Sequence, residues 1–282
     1  MALALAERLR QDGENPVAVS ADALQVYRGL ETLTGAASAE QRAQLEHRLL
    51  GFVPITATFS AGEYMALAHA EIDRAIGAGR RPLVVGGTGL YLQAALCDLD
   101  LRPPPARDLR ARIASELSDL GPEAMHARLM QAVPEAAAGI DPSDRSRLVR
   151  ALELVEMGEE PPARGERSRL WTAELRHPTL LCGLVMERGA LYERTDARVE
   201  ALVASGAVDE VRRADDAGAS ITARKALGFE ELLAGDVHAM RRRTRNYAKR
   251  QLTWMRKLAP ELTIDVTERE PADVAEEIAK PL

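Results

Sequence analysis

The alternation of short apolar runs with helix-forming segments is the feature that most constrains the fold of this chain. Five runs have the length and composition of buried strands. They are PVAVS (16–20), FVPI (52–55), PLVVG (82–86), TLLCGLVM (179–186) and LTIDV (262–266). Helical segments separate them, and two of these open with a capping box, SAEQ (38–41) and SAGE (60–63). Strands separated by helices pair in parallel, so the sequence predicts an α/β protein with a parallel sheet.

The stretch 101–170 interrupts this alternation because it contains no strand-like run. Its helical patterns lie near 106–119, 122–131 and 143–157. The three prolines at 103–105 mark the start of the stretch, and its end lies near Arg169. We therefore predict an all-helical subdomain over 101–170, inserted into an α/β core made of residues 1–100 and 171–282.

The composition is typical of a globular protein from a reducing compartment. Hydrophobic residues make up 46% and charged residues 28% of the 282 positions. No apolar run approaches the roughly 18 residues of a membrane span, and the first residues lack the basic leader of a signal peptide. The two cysteines, Cys97 and Cys182, form neither a zinc pattern nor a disulfide framework. These features predict a cytoplasmic protein.

The net charge of −6 conceals one strongly basic segment. From Arg241 to Lys257 the chain reads RRRTRNYAKRQLTWMRK, with eight basic residues and no acidic one. A basic helix on an otherwise acidic protein indicates a polyanionic partner, and a solvated helix face is the simpler alternative. Tyr247 and Trp254 within this segment suit stacking on RNA bases. Because they are seven residues apart, they equally suit anchoring the helix to the core.

Three further stretches carry candidate chemistry. SADALQVYRG (20–29) places Asp22 just after a predicted strand, where parallel sheets place their ligands, and its carboxylate suits a general base, a metal ligand or a helix cap. VVGGTGLYLQAAL (84–96) has the pattern of a strand, a glycine turn and a helix. Its amides and Thr88 suit an anion, but a tight turn explains the glycines equally well. DRSRLVRALELV (144–155) has the pattern of an amphipathic helix.

Taken together and in this order, the stretches resemble the tRNA dimethylallyltransferase family, also called tRNA isopentenyltransferases. The matching pieces are SADALQVYRG, VVGGTGLYLQA, SDRSRLVRALEL, RTDARVEALVASGAVDEV, ARKALGFEEL and YAKRQLTWMRK. The resemblance implies a P-loop NTPase-like parallel sheet core with an inserted all-helical subdomain. It also implies that a dimethylallyl group passes from dimethylallyl diphosphate, with Mg²⁺ as cofactor, to the exocyclic amine of the adenine 3′ of the tRNA anticodon.

The resemblance also implies the roles of single residues. Asp22 matches the catalytic aspartate that takes the proton of the amine, and Thr88 matches a threonine close to the substrates. Arg194 and Arg198 form the pattern R-x-x-x-R-V and are expected to contact the diphosphate, with Arg198 as the catalytic one. The residues expected to contact tRNA are Asp22, Ala23, Leu24 and Gln25, then Ser146, Arg147, Leu148, Val149 and Arg150, and finally Lys249 and Arg250. The helical insertion is thus expected to hold the anticodon arm.

The chain also departs from the family pattern. The family begins with a strand and a phosphate loop, G-P-T-x-x-G-K-[ST], and nothing in this chain matches that loop. GGTG (86–89) is no substitute because no lysine follows it. We therefore carry over no metal ligand, and we expect the 282-residue chain alone to be inactive and unstable. LETLTGAAS (30–38) lacks a family lysine, and Ser146 stands where a glutamine is usual.

Three alternatives remain open at this point. A tRNA-binding relic would hold RNA without binding the prenyl donor. An adenylate isopentenyltransferase would use the same donor on free AMP, but it needs neither the helical insertion nor the basic helix. A small-molecule kinase would leave KRQLTW (249–254) unexplained. We therefore predict a tRNA-modifying transferase and expect it to be a monomer. Binding of nucleotides such as ATP is expected only because the fold resembles that of nucleotide kinases.

Overall fold

The computed structural model describes residues 1–102, 104–162 and 174–281. These residues form two compact units. The first contains Met1–Leu99 together with the described residues from 174 onward, and the second begins at Asp100. The predicted exit of the insertion near Arg169 lies outside the described residues. None of the helices in the described part of the chain is long and apolar enough to cross a membrane.

The described secondary structure consists mainly of helices, with five short strands. The helices are α1 (Ala2–Gln11), α2 (Glu31–Thr34), α3 (Ala39–Gln44), α4 (Ala61–Gly77), α5 (Gly89–Leu96), α6 (Arg107–Leu120), α7 (Pro122–Ala132), α8 (Pro134–Ala137), α9 (Arg145–Glu156), α10 (Arg188–Ala204), α11 (Ala207–Asp216), α12 (Phe229–Leu233), α13 (Val237–Leu258) and α14 (Pro271–Ala279). The strands are β1 (Pro16–Ser20), β2 (His47–Arg48), β3 (Arg81–Val85), β4 (Cys182–Val185) and β5 (Leu262–Asp265).

The strands pair in parallel, which confirms the predicted α/β class. β1 is the central strand of a sheet with the order β2-β1-β3, and β4 pairs with β5 in a second sheet. β1 pairs with β3 along its whole length, from Pro16 beside Arg81 to Ser20 beside Val85. All five residues of β1 are buried, as expected for a parallel strand covered on both faces.

One predicted strand, FVPI (52–55), does not form. Only Val53 pairs there, as an isolated parallel bridge to Tyr27, and the strand beside β1 is β2 instead. Pro54 has no backbone N–H with which to extend the ladder. The other four predicted strands are present, although TLLCGLVM (179–186) is shortened to β4.

Both predicted capping boxes are present. The Ser38 hydroxyl accepts a hydrogen bond from the Gln41 N–H at 3.3 Å, and Ser60 accepts one from the Glu63 N–H at 3.2 Å. The Gln41 and Glu63 side chains return the bond to the backbone N–H of the two serines. These bonds satisfy amides that have no partner within the helix, so α3 and α4 begin where the sequence predicts.

The second unit is helical in its described residues and has its own apolar core. The largest members of that core are Ile113, Leu117, Met125, Leu129, Leu148 and Leu152. Beside it the carboxylate of Glu153 is completely buried and accepts hydrogen bonds from Arg110 Nε at 2.7 Å and Nη2 at 3.0 Å. Arg150 contacts the same carboxylate at 3.2 Å. A buried carboxylate requires such partners, and Arg110 thereby ties α6 to α9.

We predict that Ser60→Ala lowers the free energy of unfolding by about 1 kcal/mol, because α4 loses its N-terminal cap. Urea denaturation followed by circular dichroism measures this loss. Ser205→Ala is the matched control, since the Ser205 side chain is exposed and makes no hydrogen bond to the described residues. Equal stability of the Ser60→Ala and Ser205→Ala variants would contradict the assignment of the cap.

Candidate active site

Asp22 lies just beyond the carboxyl end of β1, where the DALQ turn (22–25) begins. Its Oδ1 accepts hydrogen bonds from the N–H groups of Leu24 at 2.8 Å and Gln25 at 3.2 Å. Asp22 therefore caps the DALQ turn and not a helix, since the next helix, α2, begins only at Glu31. These bonds also fix the orientation of the carboxylate at the edge of the sheet.

Three tyrosines surround the Asp22 carboxylate. Burial raises the pKa of each phenol, and the negative charge of Asp22 raises it further; the three are Tyr64, Tyr91 and Tyr247. The rings of Tyr64 and Tyr91 stack with their centroids 4.3 Å apart, and the Tyr64 hydroxyl donates to the Ser20 carbonyl at 2.9 Å. Because the pKa of each phenol is raised, the three tyrosines stay protonated beside Asp22.

The glycine turn GGTG (86–89) permits close packing. A Cβ on Gly86 would lie 2.1 Å from the Ala21 carbonyl oxygen, and one on Gly89 would lie 2.4 Å from Cε3 of Trp254. No side chain fits at these distances. The glycines therefore bring the start of α5 against the end of β1 and against α13. Close approach therefore explains the glycines. The tight turn that the sequence offered as an alternative does not, because none of Gly86, Gly87 and Gly89 has a positive φ.

Two uncharged side chains of KRQLTW (249–254), Gln251 and Trp254, contact the glycine turn. The Gln251 side-chain amide donates to the Gly87 carbonyl at 3.1 Å, and the Trp254 ring lies against Gly89. Trp254 therefore anchors α13 to the site. This agrees with the interpretation that the aromatic residues of the basic segment attach the helix to the core.

Thr88 joins three parts of the site. Its Oγ1 accepts a hydrogen bond from the N–H of Ala23 at 3.4 Å, and Ala23 is the residue next to Asp22. Its hydroxyl is also hydrogen-bonded to the Tyr247 side chain on α13. Since Thr88 precedes the first residue of α5, a single hydroxyl links the DALQ turn, α5 and α13.

Arg198 on α10 reaches the C-terminal end of α2. Its Nη2 donates to the Thr34 carbonyl at 3.1 Å, and the Gln25 side-chain amide approaches the same carbonyl at 3.4 Å. A Cβ on Gly35, which has a φ of +60°, would lie 2.1 Å from the same guanidinium nitrogen. Arg198 is exposed and has no carboxylate partner in the parts of the chain that the structure describes.

Arg194 has a different neighbourhood. Burial lowers the pKa of the Met1 amino group, and the positive charge of Arg194 lowers it further, which places Arg194 near the start of α1. The structure therefore gives Arg194 and Arg198 different partners, although the sequence pattern groups them.

Sequence reasoning missed a basic cavity that follows β4. Its volume is about 240 Å³, and its lining combines apolar and basic side chains. The lining residues are Met186, Arg188, Leu191, Tyr192, Lys249 and Leu252. The Tyr192 ring centroid lies 5.5 Å from Cζ of Arg188 and 5.8 Å from Nζ of Lys249. Arg188 follows a predicted parallel strand, and parallel sheets bind their ligands at the carboxyl ends of the strands. The same rule that identified Asp22 could therefore have identified Arg188 from the sequence.

The basic cavity is electrostatically suited to an anion. Burial acts to raise the pKa of the Tyr192 phenol, but hydrogen bonds with Lys249 and Arg188 lower it overall. Neither of these cations has a carboxylate partner among residues 1–102, 104–162 and 174–281. Two uncompensated positive charges beside apolar walls favour a ligand with one anionic and one apolar end.

Ion pairs neutralise the first half of α13. The pairs are Arg241–Glu200, Arg242–Asp236, Arg243–Glu231 and Arg245–Asp196. In the second half, Lys249, Arg250 and Arg256 are exposed and have no carboxylate partner within the described segments. The positive charge available to a polyanion is therefore concentrated after Tyr247. This basic surface is smaller than the whole segment from Arg241 to Lys257 that the sequence predicts.

The predicted RNA-contacting residues of the helical unit divide between surface and core. Ser146 and Arg147 are exposed on α9, whereas Leu148 is completely buried in the apolar core of the unit. Val149 packs against the same core, and Arg150 donates to the carbonyl of Arg102 at 3.1 Å. In this structure the Leu148 side chain therefore offers no surface to RNA.

The described residues do not form a metal site. No group of three or more His, Cys, Asp or Glu side chains within them is placed to hold a metal ion. Mg²⁺ remains a prediction from the resemblance.

A core of parallel strands presents a carboxylate, a hydroxyl and cationic side chains here, an arrangement that a group-transfer enzyme can use. The family model described as IPP transferase matches residues 25–258. The tRNA dimethylallyltransferase of Thermobifida fusca is 38% identical over 273 residues, which cover 91% of this chain and 82% of that protein. The protein of the same name from Rhodospirillum centenum is 40% identical over 275 residues, covering 91% and 83%. The chain belongs to the IPP transferase family, as the sequence predicts.

Solved structures agree with this assignment. The full-length tRNA isopentenylpyrophosphate transferase of Bacillus halodurans aligns with a TM-score of 0.67 and 30% identity, covering 98% of this chain and 88% of that one. A eukaryotic dimethylallyltransferase acting on tRNA aligns with a TM-score of 0.71, covering 95% and 71%. At 22% identity, this second similarity shows a common fold.

We predict that Gly89→Ala destabilises the protein by about 2 kcal/mol, because the added methyl group must displace Trp254. Urea denaturation measures the loss, and tryptophan fluorescence reports the displacement. Gly77→Ala is the matched control, since Gly77 ends α4 and an added Cβ there meets nothing within 4 Å. A Gly89→Ala variant with wild-type stability and emission would contradict the close packing.

Proposed function

We propose that this protein transfers a dimethylallyl group from dimethylallyl diphosphate to the exocyclic amine of the adenine on the 3′ side of the anticodon in tRNA. The observation that carries this proposal is the convergence of Asp22, Thr88 and the KRQLTW segment at the carboxyl end of β1. The activity named for the relatives from Thermobifida fusca and Rhodospirillum centenum supports it.

Asp22 is the proposed proton acceptor. As the adenine nitrogen bonds to C1 of the donor, the bond from C1 to the diphosphate oxygen breaks and the amine must lose a proton. The Asp22 carboxylate is held by the N–H groups of Leu24 and Gln25 and lies beside tyrosines that stay protonated. It can therefore accept a hydrogen bond from the amine and then its proton. Thr88 fixes the turn that carries it.

The leaving diphosphate requires cationic partners, because its negative charge grows as the carbon–oxygen bond breaks. We assign this role to Arg198 and to the basic cavity with Arg188 and Lys249. The apolar walls of the cavity, Leu191 and Leu252, suit the short hydrocarbon end of the donor. Arg194 belongs to this set on the strength of the resemblance.

The RNA is proposed to contact the DALQ turn and the second half of α13. Arg250 and Arg256, which have no carboxylate partner among the described residues, contribute phosphate contacts that do not depend on base sequence. Ser146 and Arg147 offer a further contact in the helical unit. All the proposed contacts come from one chain, so a monomer is sufficient for the reaction. We also propose that the reaction takes place in the cytoplasm.

We predict that Asp22→Asn slows dimethylallyl transfer by the native protein about 100-fold or more, because the amide accepts no proton. Asparagine keeps the oxygen that binds the two N–H groups, so the affinity for an anticodon stem–loop should change by less than about threefold. Transfer of radiolabelled donor and fluorescence anisotropy measure the two quantities. Free AMP in place of RNA should receive no label.

Asp73→Asn is the control for this experiment, since Asp73 pairs with Arg176 and His177 and belongs to no part of the proposed site. Transfer by the Asp22→Asn protein at the wild-type rate would overturn the role of Asp22. Absence of transfer by the wild-type native protein would overturn the proposed function itself.

We predict that Arg250→Ala weakens stem–loop binding and reduces the slope of log K against log salt by about 0.7 to 0.9, the value of one phosphate contact. Arg243→Ala is the matched control on the same helix, because its guanidinium already pairs with Glu231. Its salt slope should equal that of the wild type. Equal slopes for all three proteins would show that Arg250 makes no phosphate contact.

A further inference from the structure

Glu210 on α11 is a buried carboxylate that the proposed chemistry does not use. Its Oε1 accepts a hydrogen bond from the Thr32 N–H at 2.8 Å, and its Oε2 accepts one from the Leu33 N–H at 2.7 Å. The residue is only 7% exposed and pairs with no cation in the described part of the chain. The N-cap residue of α2, Leu30, provides no side-chain bond, so Glu210 supplies the cap from another helix.

Opposite charges hold the two ends of α2. Glu210 binds its N-terminal amides, while the Arg198 guanidinium binds the Thr34 carbonyl at its C-terminal end. This arrangement follows the helix dipole, which favours an anion at the start and a cation at the end. A helix of one turn does not form by itself, so α2 depends on these external contacts.

The C-terminal end of α2 orients two predicted site residues. The Thr34 carbonyl accepts from Arg198 at 3.1 Å and from the Gln25 side chain at 3.4 Å, and the Gly35 carbonyl lies 3.5 Å from the same Gln25 nitrogen. Arg198 and Gln25 are long side chains on separate elements, so free rotation of either would have to be lost on binding a substrate. A fixed α2 removes part of that entropy cost beforehand.

We propose that Glu210 is a positioning residue of this site. By holding α2, it keeps the Thr34 and Gly35 carbonyls where they orient Gln25 and Arg198, and it contacts no substrate itself. The inference rests on the proposed function in one respect, because the orientation of Gln25 affects RNA binding only if this site binds RNA.

The test compares Glu210→Gln with Glu14→Gln in the full chain. Glu14 also accepts two side-chain hydrogen bonds, from Arg81, but at the opposite end of the β1–β3 pair. In Glu210→Gln, one of the two α2 amides loses its acceptor. We expect hydrogen exchange to quicken about tenfold in residues 22–36 alone, with a loss of stem–loop affinity of about fivefold. Glu14→Gln should leave both quantities unchanged.

A double-mutant cycle separates positioning from general destabilisation. If Glu210 acts through Gln25, then Gln25→Ala should remove most of the effect of Glu210→Gln on stem–loop affinity. The inference is overturned if the affinity losses of Glu210→Gln and Gln25→Ala multiply in the double variant. It is also overturned if Glu14→Gln loses as much affinity as Glu210→Gln. If the wild type binds the stem–loop no better than an unrelated hairpin, the proposed function fails. In that case the hydrogen-exchange result alone tests the positioning role of Glu210. If residues 22–25 exchange at the same rate in Glu210→Gln as in the wild type, the positioning role is overturned.

Discussion

The close approach of the glycine turn to the end of β1 is the constraint on which the rest of the site depends. Gly86 has no Cβ, so its backbone can lie against the Ala21 carbonyl. This approach brings the Thr88 hydroxyl to the amide that follows Asp22. Gly89 likewise admits Trp254, which fixes the basic helix beside the same strand end. Packing between uncharged groups thus positions the DALQ turn that carries Asp22 and fixes α13 beside it.

The distribution of ion pairs then determines which charges can act on a substrate. The early arginines of α13 are occupied by Glu200, Asp236, Glu231 and Asp196. Lys249, Arg250 and Arg256 are not paired with carboxylates in the described segments, and Arg188 and Lys249 flank a cavity with apolar walls. A count of basic residues therefore overstates the surface available to RNA, and the pairing pattern identifies the part that remains.

The sequence predicted the features that depend on local signals. Capping boxes, strand-length apolar runs and the position of Asp22 after a strand are set by neighbouring residues, and the structure contains all three. The strand at 52–55 failed because Pro54 interrupts the ladder. The partners of the basic helix and the bonds of Glu210 to α2 depend on residues distant in sequence, and such contacts have no local signature. Leu148 was named as an RNA contact only because residues 146–150 match the family pattern, although its place in an amphipathic helix already indicated a buried face.

Mapping the modified nucleotide tests the central claim most directly. Unmodified tRNA is incubated with the native protein and dimethylallyl diphosphate, digested to nucleosides and fragments, and analysed by mass spectrometry. The account predicts one added dimethylallyl group, on the exocyclic amine of the adenine 3′ of the anticodon. A prenyl group at another nucleotide, or RNA that stays unmodified, would contradict it.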